Sequence, residues 1–535
     1  MKKLFVCALA LAAFVACDKE PNVGGGEAGT VYMSFAVKME TTRTGTDGTG
    51  DTNSDANPDY EVGKDRENTI SSVDIILAKA DQYFKAEKVE IKNVSVNGDI
   101  NQTYIASFNS LNLVEGADYK VYIYANCTAP AKEDGENATS NVAVKDMTGK
   151  DKFWMTNAYA AKTVTIPEDL SAHNSPNSPF NMGEHYVERS MARFDFMPKN
   201  NNKFELADGV TVTLTEAAII NQSKEFYMLR RVSNDGTANG AVVGGVETPQ
   251  NYVVDVDYAA KANGYDADDV ANFDAHLTLP STWTWKSIAS ADLTKADADL
   301  KDNWDGTNDG TDDPMTGDPD EEGNPTEEDT PEHVLNDYYI WQYAKENTIP
   351  GTTIQQHGIS TGIVFKGKIE GDAVTAANGD PIYVFENKLY GTWDKVVAAA
   401  GANNAPATLV AAVNAVGEAP TVKALADAGF TGYSADAEDN NYYAYYYYWN
   451  RHNDNGDNTK MGIMEFAVVR NNVYKLCVDK ISKLGHPEPP TDPENPENPD
   501  PDPVDPTDPD EELNYYFNVT VKVLPWVVRV NHIEF

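Results

Sequence analysis

The chain has 535 residues, 84 of them Asp or Glu and 42 Lys or Arg, for a formal net charge of −42, and 41% are hydrophobic. That length exceeds one core of ordinary size, and that apolar share excludes a mostly disordered chain. The charge excludes electrostatic attraction to nucleic acid, which needs clustered cations. The acids are unevenly placed: thirteen fall between Asp302 and Glu332 and eleven between Glu488 and Glu512, with no Lys or Arg in either stretch.

Lys2 and Lys3 precede an apolar run of thirteen residues, Leu4 to Ala16. It is shorter than the roughly 20 residues a membrane-spanning helix needs, so it reads as a secretory signal. The run ends in Phe14-Val15-Ala16-Cys17, small residues before a cysteine that resemble a bacterial lipobox, with Phe14 in place of the usual Leu. Cys17 is therefore the expected lipidation site and first residue after cleavage. No other stretch is long and apolar enough for a spanning helix. With Cys7 lost and Cys17 acylated, only Cys127 and Cys477 remain, each in a strand-like run, so a disulfide framework is excluded. The sequence leaves open whether those two pair.

Thr30 to Glu40 reads TVYMSFAVKME. Val31, Met33, Phe35, Val37 and Met39 share one face, the signature of a half-buried strand. Thr41, Thr42 and Arg43 follow, then a Gly, Thr, Asp and Asn run with no packing residues. Arg43 is the lone basic residue between Glu40 and Lys64, at the junction of a strand and an exposed loop, where proteases cut. Further strands are predicted at 72–80, 119–127, 162–167 and 186–198, and then through VTVTLTEAAII, EFYMLRR, STWTWKS, TGIVFKGKI and PIYVFENKLY. Helical periodicity is confined to about 392–430. The sum is a mainly β chain of two β-sandwich domains, the second with short helical insertions. From Pro487 to Glu512 ten prolines among like charges predict a semi-rigid extended linker. Beyond it Phe517, Val519, Val521 and Val523 alternate, Pro525 interrupts the ladder, and Trp526, Val528, Val530 and Ile533 extend again. This apolar strand pair is expected to hang from the body on its stalk.

Catalytic chemistry finds little support. The eight histidines form no metal-binding spacing, and there is neither a nucleophile elbow nor a phosphate loop. Asp305, Thr307, Asp309 and Asp313 alternate as calcium ligands do, with Gly310 at the turn. The twelfth position is Thr316 where a Glu belongs, so the stretch reads as a solvated acidic loop, as does that around Asp454, Asp457 and Asn458. No catalytic residue, metal or cofactor is assigned. Tyr442, Tyr443 and Tyr445 to Tyr448 with Trp449 could stack on sugars, but read first as a strand with aromatics on both faces.

Taken together, the lipobox, Arg43 after the first strand, ERSMARFDF at 188–196, YYYYWNRHNDNG, MGIMEFAVVRNNVYKLCVDKISKLG, the Pro/Asp linker and the terminal VKVLPWVVRV resemble the major (shaft) fimbrillins of type V pili from Bacteroidales, of the Mfa-type short-fimbria group. The resemblance spans nearly the whole chain and is most specific from Tyr442 to Gly485. It implies a transthyretin-like form for both sandwiches. The expected divisions are a lipoprotein signal at 1–16, a propeptide at 17–43 with a plug strand at 30–40, an N-terminal domain at 44–183, a C-terminal domain at 184–486 with its acidic loop at 302–332, the linker at 487–512 and donor strands at 513–535.

The resemblance also implies assembly by strand exchange. A palmitoylated precursor reaches the outer membrane, an arginine-specific protease cuts between Arg43 and Thr44, and the plug is lost. The groove it leaves then takes the C-terminal strand of the next subunit. Partners would be further copies head to tail, the anchor and tip subunits of the pilus, and host or bacterial surface ligands in adhesion, biofilm formation and virulence. The membrane is touched only through the precursor's lipid, and the mature form is an extracellular fimbrium. The rival readings are an anchor or tip subunit of the same pilus, or a glycan-binding surface lipoprotein with Tyr445 to Trp449 as its platform.

Overall fold

The computed structural model describes residues 29–39, 61–131, 135–149, 152–262, 275–295, 338–349, 359–453, 462–489 and 517–527, apart from short breaks at 97–98, 246, 249, 279–281 and 418–419. Cys17, Arg43, Thr44, Val528, Val530, Ile533, the stretches around Asp305 to Asp313 and Asp454 to Asn458, and the proline linker beyond Pro489 lie outside them.

Two β cores account for most of the described chain. The first is built from β1 (Thr30–Met39), β3 (Val73–Lys79), β4 (Gln82–Lys85), β5 (Lys88–Val96), β6 (Asp99–Asn109), β7 (Asp118–Ala125), β8 (Met155–Asn157), β9 (Lys162–Thr165) and β10 (Phe180–Arg189); β2 (Glu61–Val62) belongs to another sheet. The nine strands form one sheet in the order β4-β3-β7-β8-β10-β1-β6-β5, with β9 beside β7. Residues 82–96 reach from one end of that order to the other, since β4 pairs with β3 and β5 pairs with β6. The sheet therefore folds back on itself over a single apolar cluster that includes Val31, Phe35, Ile75, Tyr104, Val121, Met155 and Val187. Alternating branched and aromatic residues explain β1, β3 and β7, where Val31, Met33 and Phe35, then Val73, Ile75 and Leu77, then Tyr119, Val121, Ile123 and Ala125 enter the cluster.

The second core lies between two sheets. One contains β11 (Ala192–Met197), β13 (Tyr339–Ala344), β16 (Asn472–Ile481) and β17 (Phe517–Val527); the other contains β12 (Thr211–Ile220), β14 (Gly362–Glu370) and β15 (Tyr442–Trp449). Phe196 of β11 meets Phe365 of β14 across the layers, ring centroids 5.8 Å apart, the spacing of a packed sandwich core. Inserted after β14 is a small unit in which strands at Ile382–Phe385, Lys388–Gly391 and Phe430–Tyr433 carry helices Trp393–Ala400, Ala407–Val416 and Val422–Asp427. It has its own core around Val396, Leu409 and Phe430. The helices expected near 392–430 are these. Helices of four to six residues also occur at Asp65–Asn68, Val144–Met147, Tyr258–Ala262 and Asp372–Ala377, too short for a periodic signature.

Two boundaries differ from the expectation. Phe180–Arg189 pairs with β1 and β8 of the first sheet, so position 183 falls inside a strand and the second core begins at Ala192. The C-terminal strand is continuous through Pro525, which stands opposite Asn472 just before the two residues that pair with β2.

Candidate functional site

The first strand is held inside its sheet. β1 runs antiparallel to β6 from Thr30 opposite Asn109 to Ala36 opposite Thr103, and parallel to β10 from Met33 opposite Phe180 to Met39 opposite Val187, with a bulge between Ser34 and Ala36. Its alternation matches the pleat. Val31, Met33 and Phe35 are 2%, 0% and 1% exposed, Met39 is buried, and Val37 is half-buried against the same cluster. Phe35 stacks on Tyr104 at 5.4 Å and meets the edge of the His185 ring at 6.2 Å. Four fully buried apolar side chains at roughly 1.5–3 kcal/mol each give stabilisation on the order of 10 kcal/mol, offset by the ordering of ten residues. Ser110 N donates to Gly29 O at 2.8 Å at the strand's start. The half-exposed Lys38–Glu184 pair at 2.6 Å adds little.

The lining of this slot has unusual protonation. Burial pushes the Tyr104 hydroxyl up to about 12. Burial, and then the Lys162 charge, hold the His185 imidazole down to about 4. Neither His185 ring nitrogen has a hydrogen-bond partner among the described residues. Without β1, β6 and β10 would face each other across an apolar trough with two rows of unpaired backbone groups.

The C-terminal strand does not hang free. β17 pairs antiparallel with β16 of its own chain from Phe517 opposite Ile481 to Pro525 opposite Asn472, and Trp526 and Val527 run parallel to Glu61 and Val62. In place of two strands meeting at Pro525, the described residues 517–527 form one strand docked on the second sheet. Phe517, Val519, Val521, Val523 and Trp526 lie along this ladder.

Between the two cores lies a buried charged junction that periodicity does not reveal. Arg193 Nη1 reaches Glu67 Oε2 at 3.0 Å and its Nη2 reaches Asp195 Oδ2 at 2.8 Å; Lys475 Nζ is 3.3 Å from the same Asp195 oxygen. Tyr343 Oη donates to Glu67 Oε1 at 2.5 Å. Arg189 Nε donates to Glu67 O at 3.1 Å and its Nη1 to Asn471 Oδ1 at 3.2 Å. Arg470 pairs with Glu346 at 2.9 Å and Arg230 with Glu188 at 3.1 Å. The charges in ERSMARFDF therefore tie the first region to the second, with partners brought from far along the chain.

Tyr442 to Trp449 does form a strand with aromatics on both faces. Tyr442 and Tyr446 enter the second core, while Tyr445 is buried beside Trp285 at 5.8 Å. Cys127 and Cys477 are both free and buried. Among the described residues no group of His, Cys, Asp or Glu could hold a metal, and no helix is long and apolar enough to cross a membrane.

No curated protein sequence matches this chain. Among solved structures, a candidate cell adhesion protein from Parabacteroides distasonis aligns over 94% of this chain and 99% of its own at 12% identity and a TM-score of 0.38. A fimbrilin from Porphyromonas gingivalis aligns over 94% and 98% at 14% identity and a TM-score of 0.34. A tip fimbrial protein from the same organism aligns over 93% and 100% at 8% identity and a TM-score of 0.33. Residues 440–532, which hold β15, β16 and β17, match the family model described as "Major fimbrial subunit protein type IV, Fimbrillin, C-terminal". Over residues 440–532 the chain is therefore similar to the C-terminal part of fimbrillins.

Proposed function

We propose that this chain is the shaft subunit of a fimbria and polymerises by exchanging strands. The observation that carries the reading is the position of β1, inside the first sheet with its side chains in the core, joined at its C-terminal end to the segment bearing Arg43. Cutting between Arg43 and Thr44 severs that strand from the rest of the chain together with Cys17, so release from the lipid and opening of the slot are one event. A strand of the same period then fills the slot, and the tail from Phe517 to Trp526, continuing through Val528, Val530 and Ile533, has that period. The contact is head to tail, so its repetition gives an open filament. The palmitoylated precursor sits at the cell outer membrane and the product is an extracellular fimbrium whose further partners are the anchor and tip subunits.

Mass spectrometry of the N terminus of subunits sheared from cells tests this. Thr44 as the first residue is the expected result, whereas an acylated Cys17 in those subunits assigns the chain to an anchor. A chain that starts at Thr44 but never accepts a successor on its tail is a tip subunit.

A further inference from the structure

The second region encloses a lysine among acids and a carboxamide. Lys261 lies in the short helix Tyr258–Ala262, Asp255 and Asp257 just before it, and Asn347 just beyond β13; none of the four is more than 3% exposed. Lys261 Nζ is 2.7 Å from Asp255 Oδ2, 2.7 Å from Asn347 Oδ1, 2.7 Å from Thr348 O and 2.9 Å from Asp257 Oδ1. An ammonium has three N–H donors, so four oxygens at this range crowd it. The carboxamide carbon of Asn347 is one bond from an atom that Nζ already touches.

The carboxamide is fixed in place. Asn347 exchanges backbone hydrogen bonds with Val468 at 2.9 and 2.8 Å. Its Nδ2 donates to Asn221 O at 3.1 Å, Thr361 Oγ1 at 3.0 Å and Ile359 O at 3.3 Å. These three acceptors settle which end of the amide is nitrogen, and so aim the oxygen at the lysine. Asp255 is fixed too, accepting from Thr348 N at 2.7 Å. Burial, and then the Asp257 charge, push the Asp255 carboxyl well above the ordinary carboxylate range. A proton shared by the two acids thus sits more readily on Asp255 than on Asp257.

We propose that Lys261 and Asn347 join in an intramolecular isopeptide bond, with Asp255 and Asp257 moving the protons. The Asp257 carboxylate takes one proton from the ammonium, and the freed Nζ lone pair attacks Asn347 Cγ. The Asp255 carboxyl donates its proton to the developing oxyanion. Collapse of the tetrahedral centre returns that proton and breaks the Cγ–Nδ2 bond. The departing nitrogen takes the second Nζ proton by way of the carboxyls and leaves as ammonia. Lysine ammonium, carboxamide and carboxylate thereby become a secondary amide, ammonia and a carboxylic acid, with no oxidant, metal or cofactor. Holding amine and carboxamide in contact supplies the effective concentration that an uncatalysed amide exchange lacks. The bond links positions 86 apart in sequence and closes the acid-rich 302–332 stretch into a covalent loop.

Tryptic digestion of the full chain followed by mass spectrometry tests this directly. The expected product is a linked pair of peptides containing Lys261 and Asn347, lighter by one ammonia than their sum and uncut after Lys261. Lys261→Arg or Asn347→Ala abolishes it, and Asp255→Asn slows its formation by about a hundredfold or more while circular dichroism is unchanged. Recovery of Lys261 and Asn347 in separate, unmodified peptides from the unsubstituted chain overturns the proposal, whatever the variants do. A link lighter by one water overturns it as well, because the acceptor is then Asp255 or Asp257.

Discussion

The first and last strands of this chain share a period and differ in setting. β1 has a neighbour along each side, β6 and β10, and its alternate side chains enter a closed core. β17 has β16 along one side and touches β2 on the other only at Trp526 and Val527. A strand with two ladders is held by about twice the backbone hydrogen bonds of a strand with one, each worth about 1 kcal/mol net. The tail is thus the easier element to detach, and β1 the harder. Under the proposed exchange, a precursor so arranged would keep its slot filled until the chain is cut, and a tail that left one ladder for a slot with two would gain pairing.

Four experiments break or sharpen that contrast. The largest effect belongs to Arg43→Ala, which should leave a lipidated precursor and reduce filaments on electron micrographs to none; normal filaments from this variant would end the exchange reading. Truncation after Glu512 should give processed subunits that stay monomeric in size-exclusion chromatography while the first region retains its melting transition. Long fibres from that truncation would show that some other segment is the donor. Phe35→Ala should destabilise the precursor by about 3–5 kcal/mol in denaturant titration and leave the trimmed, polymerised subunit unaffected, because the residue is then gone. An equal loss in both forms would mean that β1 stays in place.

The smallest expected effect is a pH dependence. His185 sits at about 4 in the folded precursor against an ordinary 6.5, so the unfolded chain binds more protons between those values. Stability contributed by the neutral imidazole is then complete above pH 6.5 and is lost as the pH falls toward 4, roughly 1–3 kcal/mol in all. His185→Phe should flatten that slope in thermal melts at pH 4.5, 5.5 and 7. An unchanged slope would place the acid sensitivity elsewhere.

Period-two alternation made β1 legible, down to the residues that enter the core, and Ala-rich periodicity made the 393–427 helices legible. Alternation says which face of a strand is buried but not against which strand, so it could not dock β17 on β16. The end of the first sheet was missed because the turn residues before Phe180 look like a boundary, while FNMGEHYVER pairs backward with β1 and β8. The junction was illegible for a different reason. Glu67 and Arg193 are 126 residues apart and Arg470 and Glu346 are 124 apart, so no local window contains both members. Removing one member should cost about 3–5 kcal/mol, since it strands a buried charge; the pairing is visible only once the fold has assembled it. The same holds for Lys261 and Asn347.

The contact of Trp526 and Val527 with Glu61 and Val62 has a consequence for how links in such a chain communicate. In the proposed exchange, the cut after Arg43 leaves Glu61 and Val62 in the new N-terminal segment, paired to the tail. Under that proposal, departure of the tail to a neighbour would free Glu61 and Val62 of this pairing, and a fluorophore placed beside them would register it.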